Sequence, residues 1–227
     1  MKFRFSNWSL ALVLLIVIPC ARAADVVDRI VATVNGHIIL QSDWQDALHY
    51  EALVDNRPVD QLSIDEQKAA LDHLIDQELL QEQMHSSDFR HATEDEIAQH
   101  ISDVRKQYPG AETDAGWQSV LLRYGLTPDS LHRHVTQQLD LMRLVDTRLR
   151  PGVTIDSKTI ESYYNQQILP QLRQSGSQDV PLAEVSPKIK ELLTQQKVNQ
   201  LLVAWLQNLR SGSEIRKEPL DSRGSLQ

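Results

Sequence analysis

Four carboxylates crowd the stretch LDHLIDQELLQEQ, residues 71–83: Asp72, Asp76, Glu78 and Glu82. Residues three or four apart on a helix share a face, so Asp72 pairs with Asp76 and Glu78 with Glu82. A carboxyl pair can work as acid and base, as glycosidases do, if an apolar pocket drives the two pKa values apart. Here the acids are too dense for such a pocket, and the segment reads as a solvated helical face. The chain also has eight histidines. His132 and His134 are two apart and point to different faces of a helix. Glu96 with His100, and His73 with Gln77, share faces. None of these sets supplies three metal ligands, and no His-Glu-x-x-His helix occurs. There is no Gly-x-Ser-x-Gly elbow and no Gly-rich phosphate loop. No catalytic residue, metal ligand set or cofactor motif is expected.

The aromatic residues suggest binding instead. Trp44, Tyr50, Tyr108, Trp117, Tyr124, Tyr163, Tyr164 and Trp205 are able to line a crevice, because such side chains grip extended polypeptide with little demand on its sequence. Trp205 falls in the apolar stripe of the last helix and is expected in the core. Tyr163 and Tyr164 are adjacent, so one is expected to face in and the other out. Trp117 and Tyr124, seven apart on one short helix, share a face and are expected to be partly exposed. The residues singled out for client contact are Trp44, Trp117, Tyr124, Tyr163 and Tyr164.

These side chains are positioned by a chain that is mostly helical after one hairpin. VDRIVATVNGHIIL, residues 27–40, reads as two short strands around Asn35-Gly36, a pair that favours a tight turn. Capping boxes follow at Ser42-Asp43-Trp44-Gln45, Ser63-Ile64-Asp65-Glu66 and Thr93-Glu94-Asp95-Glu96. The first opens a helix to about Val54 and the third a helix to about Tyr108. A short helix runs from about Asp114 to Tyr124 and stops at Gly125. Thr127-Pro128 starts the next, with Leu131, Val135, Leu139, Met142, Val145 and Leu149 on one stripe. Asp156 caps a helix that ends near Pro170. Residues 171–181 read as a linker. Ser186-Pro187 starts a long last helix, stopped by Gly212, and residues 214–218 form a short strand. A lone hairpin is marginal in water, so that strand is expected to cover it.

The first 23 residues combine Lys2 and Arg4, an apolar run from Leu10 to Ile18, and Ala21-Arg22-Ala23. That is a secretory signal, expected to be cleaved after Ala23. A retained anchor, or a lipid on Cys20, is the alternative. Loss of Lys2, Arg4 and Arg22 leaves 20 basic against 31 acidic residues, net −11. Such a balance disfavours nucleic acid or an anionic membrane face as partner. Cys20 is the only cysteine, so the exported chain must hold together through its core.

The stretch VDRIVATVNGHIILQSDWQDAL resembles the start of the SurA-type N-terminal chaperone domain, and LDHLIDQELLQEQ resembles its next helix. VTIDSKTIESYYNQQ, residues 153–167, is similar to the segment that closes this domain ahead of a parvulin domain. PLAEVSPKIKELLTQQKVNQLLVAWLQNLRSGSEI, residues 181–215, resembles the helix and strand that follow the parvulin part. Here only residues 165–179 join the last two segments, and the Gly-Gly-x-Leu-Gly stretch of a parvulin domain is missing.

The resemblance implies a mainly α fold, a multi-helix domain with a small β element made by the N-terminal hairpin and the C-terminal strand. It divides the chain into a signal (1–23), an N-terminal chaperone domain (24–170), a linker in place of the parvulin domain (171–181), a helix and strand packing back on the same domain (182–218), and a tail (219–227). It implies a periplasmic, ATP-independent holdase for unfolded exported polypeptides, outer-membrane protein precursors foremost, with no cofactor. The alternatives are a prolyl isomerase or a non-catalytic scaffold for one envelope partner. If residues 171–181 are too short for the last helix to fold back, that helix swaps into a neighbour and makes a homodimer.

Overall fold

A computed structural model describes residues 28–84, 89–176, 178 and 180–219. The signal and its cleavage site, and the tail from residue 220, lie outside the described residues. Asn35 and Gly36 both take positive φ, +50° and +89°. A tight hairpin turn needs left-handed backbone at both central positions, and Asn-Gly adopts it with the least strain. The turn joins β1 (Ile30–Val34) to β2 (His37–Leu40), with Val34 opposite His37 and Ala32 opposite Ile39. A bulge shifts the register between Ile30 and Ala32. The far end of the chain supplies β3 (Ile215–Lys217), antiparallel to β1, with Val34 opposite Ile215. The strand order is β2-β1-β3, so the expected cover on the hairpin is in place. As the central strand, β1 buries Val31, Ala32 and Val34.

The fold is mainly α. The first helix, α1 (Gln41–Val54), starts earlier than Ser42 predicts. Asp43 accepts the Leu40 amide at 2.9 Å, which fixes the start there, while Ser42 is occupied with Asp28. The other two boxes form. Ser63 opens α2 (Ile64–Met84): Glu66 takes the Ser63 amide at 2.8 Å, and the Glu66 amide donates to Ser63 Oγ at 3.3 Å. Thr93 opens α3 (Glu94–Arg105) in the same way, although the helix stops short of Tyr108. Thr113 caps α4 (Asp114–Arg123), and Gly125 follows it at φ +69°. The positive φ favours glycine there, and a Cβ on Gly125 would come within 2.8 Å of the His49 ring, which would have to shift. Thr127 caps α5 (Pro128–Leu149), with proline in the first turn.

Beyond Asp156, which caps α6 (Ser157–Tyr163), the chain does not stop near Pro170. A π turn over Tyr164–Ile168 leads into α7 (Leu169–Gln174). The Leu169 amide reaches back to the Tyr164 carbonyl. That wider turn resets the helix so that Pro170 falls in a first turn, where its missing N–H costs little. The expected linker is therefore helical as far as Gln174. The last helix, α8 (Leu182–Ser211), starts four residues before Ser186 and holds Pro187 inside it. Pro187 lies close enough to the start that only the Ala183 carbonyl loses its amide, and the Ser186 hydroxyl donates to the Leu182 carbonyl at 2.7 Å. Gly212 caps α8 where expected.

One apolar cluster runs through the domain. Leu48 and Leu53 of α1, Ile75 and Leu79 of α2, Ile97 of α3, Leu121 of α4 and Val135 of α5 are fully buried, together with Val31 and Val34. Burial of each such side chain contributes about 1.5–3 kcal/mol. The returning helix α8 packs on α2, α5 and α6 of its own chain. The connection is thus long enough, and the premise of a swapped dimer is not met. Only Ile189 and Val198 of α8 are buried. Trp205, expected in the core, is half-buried beneath the Arg148 guanidinium, 4.9 Å from its ring centre.

Candidate functional site

The acidic stripe of α2 is not a solvated face. Arg210 of α8 sets Nε 2.6 Å from Asp76 Oδ1 and Nη1 3.4 Å from Asp72 Oδ1, and its Nη2 donates to the Asp72 carbonyl at 3.0 Å. Lys217 of β3 also reaches Asp72. Burial opposes the charge on Asp72, but Lys217 and Arg210 outweigh it and hold the carboxyl below its usual range. Glu82 accepts the Asn35 carboxamide at 2.9 and 3.1 Å, and Glu78 faces His37 at 3.3 Å. All four carboxylates are thus used to hold the hairpin, α8 and β3. Arg210, which binds Asp72 and Asp76, lies 134 positions from Asp76. No local pattern joins the two.

Four further histidines each meet an acid from another part of the chain. His91 meets Asp140 at 2.7 Å, His132 meets Glu94 at 2.9 Å, His134 meets Asp46 at 2.9 Å and His73 meets Glu51 at 3.1 Å. Among the described residues no three His, Cys, Asp or Glu side chains are grouped to hold a metal ion.

Three of the five aromatic candidates are core. Trp44, Trp117 and Tyr124 are 4%, 9% and 5% exposed. The expectation that Trp117 and Tyr124 are partly exposed is therefore wrong. Both rings turn inward onto Tyr108, with centroids 6.2 and 5.8 Å away. Trp44 donates its indole N–H to the Gln67 carbonyl at 2.8 Å, which joins α1 to α2. Tyr163 and Tyr164 are both half-buried rather than one in and one out. The helix widens at Tyr164, and its hydroxyl donates to the Val180 carbonyl at 2.6 Å, bracing the run into α8.

A partly apolar trough lies elsewhere, between α1, α2 and α5. It consists of two clefts of about 430 Å³ each, which share Leu74, Gln77 and His134. One end is lined by Ile38 and Ile39 of β2, and the other by Ala47, Tyr50, Val54 and Ala70. Ile38 is 56% exposed and Val54 43%, although both are large apolar side chains. The polar wall between them is fixed. His134 and Arg133 (3.0 Å) both bind Asp46, and the hydrogen bond from His134 is the main cause that holds the Asp46 carboxyl below its usual range. The Tyr50 ring stacks on His134, centroids 4.7 Å apart and 12° from parallel. Its hydroxyl donates to Gln138, and burial pushes its pKa up to about 12. The channel is thus partly apolar, with one polar wall tied by hydrogen bonds.

Sequence reading included Tyr50 among the crevice aromatics but did not single it out. Leu74, Gln77 and Gln81 on α2 share one helical face, as do His134, Gln137 and Gln138 on α5, but the spacing does not say that the two faces meet.

These features define an α-helical domain clasped by a sheet from its two ends, with an open trough on its side. The chain belongs to the family of SurA-like N-terminal domains, whose family model matches residues 4–145. That makes it a member of a chaperone-related family. No curated protein matches the chain. Among the described residues no helix is long and apolar enough to cross a membrane.

Proposed function

We propose that this chain is a periplasmic, ATP-independent holdase that binds unfolded exported polypeptides, outer-membrane protein precursors foremost, in the trough between α1, α2 and α5. The observation that carries the reading is the exposure of Ile38 and Val54 in one continuous channel on a domain of this family. A holdase works by mass action: the bound unfolded chain is withdrawn from aggregation. It needs apolar surface that stays open in the folded protein, and the trough supplies it.

The experiment is light scattering of a denatured outer-membrane β-barrel protein diluted into buffer with the exported chain. Suppression at a few-fold molar excess is the expected result. Unchanged scattering at such an excess would sink the reading. Recovery in the periplasmic fraction checks the location.

The chain is further proposed not to be an enzyme. By the resemblance, fuller members carry a parvulin domain between the segments similar to residues 153–167 and 181–215; this chain has the π turn, α7 and a short run to Pro181 there. Isomerisation of a proline peptide at the uncatalysed rate is the expected outcome. Cross-linking in cells separates a holdase, which captures many clients, from a scaffold, which captures one partner in fixed ratio.

A further inference from the structure

Gln77, Gln81 and Gln137 line the end of the trough next to β2. All three are half-buried, and none of their carboxamides has a partner among the described residues. Each carboxamide offers both a donor and an acceptor. A polypeptide backbone offers the same two groups whatever its side chains, so the glutamines match an extended chain rather than a particular sequence.

The opposite wall is a strand edge with no further strand on it among the described residues. The Asn35 amide donates to the Glu214 carbonyl at 2.9 Å, and the Glu218 amide donates to the Val31 carbonyl at 3.0 Å. Odd-numbered residues of β1 therefore face β3, and Val34 and Ala32 face β2. Their partners His37 and Ile39 point back at β1. Ile38 lies between them, so its N–H and C=O point away from the sheet. An added strand pairs with such an edge about 4.8 Å away. The edge is short, because Asp43 already takes the Leu40 amide. The same cleft carries three carboxylates, Asp43, Asp46 and Glu78, against one guanidinium, Arg133.

We propose that the trough takes its client as a short fourth strand on β2, an extended segment of alternating apolar and basic side chains whose other backbone edge is held by Gln77, Gln81 and Gln137. This rests on the holdase reading and specifies how the client is held. The short edge explains how a holdase releases: few backbone bonds form, so the segment exchanges quickly.

The test is fluorescence anisotropy with a labelled, end-capped peptide of alternating valine and lysine. Two further peptides are N-methylated at alternate amides, one in each phase, which removes the backbone donors on one edge. Binding of the parent is expected, with about a tenfold loss for at least one N-methylated phase. Ile38→Pro, which removes an outward N–H and no ladder bond, is expected to weaken the parent about as much. Replacing Gln77, Gln81 and Gln137 together by Leu is expected to weaken it too. Should Ile38→Pro fail to fold, the N-methylated peptides on the unaltered protein decide the matter alone. Equal binding of parent and both N-methylated peptides overturns strand addition. If aggregation is still suppressed in that case, the holdase reading survives. If neither peptide binding nor suppression is seen, both fall. A valine–glutamate peptide that binds as well as the valine–lysine one overturns the charge preference.

Discussion

Asn35 and Glu214 hold each other by two bonds across 179 positions of chain. The Asn35 amide donates to the Glu214 carbonyl, and the Glu214 amide donates to Asn35 Oδ1, both at 2.9 Å. The same carboxamide donates through Nδ2 to Glu82 of α2 and to Ser213 Oγ at 3.2 Å. One turn residue therefore supplies the left-handed backbone of the hairpin and ties it to β3 and α2. Asn35→Gly keeps the turn and loses the side-chain bonds, whereas Asn35→Ala loses both. Chemical denaturation is expected to show Asn35→Gly destabilised by about 1 kcal/mol and Asn35→Ala by about 2–3 kcal/mol. Equal stability of Asn35→Ala and the parent would show that the turn does not serve the clasp.

Removal of residues after Gly212 deletes β3 whole. The ladder to β1, the Lys217–Asp72 pair and the half-buried Ile215, which packs against the core, go together. The truncated chain is expected to lose about 2–4 kcal/mol in stability. Hydrogen exchange is expected to quicken first in β1, which becomes an edge. An unchanged unfolding temperature would refute the clasp.

How far the sequence foretold this arrangement depends on the range over which each feature is decided. Asn35-Gly36, Thr93 with Glu96, Thr127-Pro128 and Asp156 were legible because their partners lie within four residues. The pairing of β3 with the hairpin was legible because a lone hairpin cannot remain uncovered. Pro170 misled as a helix end and Ser186-Pro187 as a helix start. Each falls near a helix start, one reached by way of a π turn and the other by an earlier beginning, where proline is tolerated. Trp117 and Tyr124 misled because sharing a face does not say which face. Tyr108, outside their helix, draws both inward. The trough itself is shaped by three helices at once, so Ile38, Tyr50 and Gln137 meet in it without any common pattern in the chain.

Asp140 is a buried acid on α5 that sequence reading passed over. It is 6% exposed and takes the Ala92 amide at 2.6 Å and the His91 ring at 2.7 Å. Arg143, one turn on, donates to the His91 carbonyl at 2.5 Å. Together they fasten the segment before α3 to α5. Asp140→Ala leaves the Ala92 amide without its acceptor and is expected to cost about 1–3 kcal/mol. Exchange of the amides at 91–93 is expected to quicken more than that of α4. Uniform exchange across the domain would argue against a local fastening.

Glu96 links stability to pH. One carboxylate oxygen takes the Thr93 amide at 2.7 Å and the other takes Arg143 at 2.6 Å. These bonds, the Thr93 amide first, lower its pKa from 4.5 to about 2. A carboxylate whose pKa falls on folding contributes stability that is fully present above the unfolded value and lost as pH drops through the folded one. The window is therefore pH 4.5 to about 2. Glu66 shifts to about 2 in the same sense, chiefly through the Ser63 amide. Glu96→Gln is expected to lower the unfolding temperature at pH 7, and the gap from the parent is expected to close as pH falls across that window. Thermal unfolding of both proteins from pH 7 to pH 2 is the measurement. A gap of constant size at every pH would mean that Glu96 acts in this cap without regard to its charge.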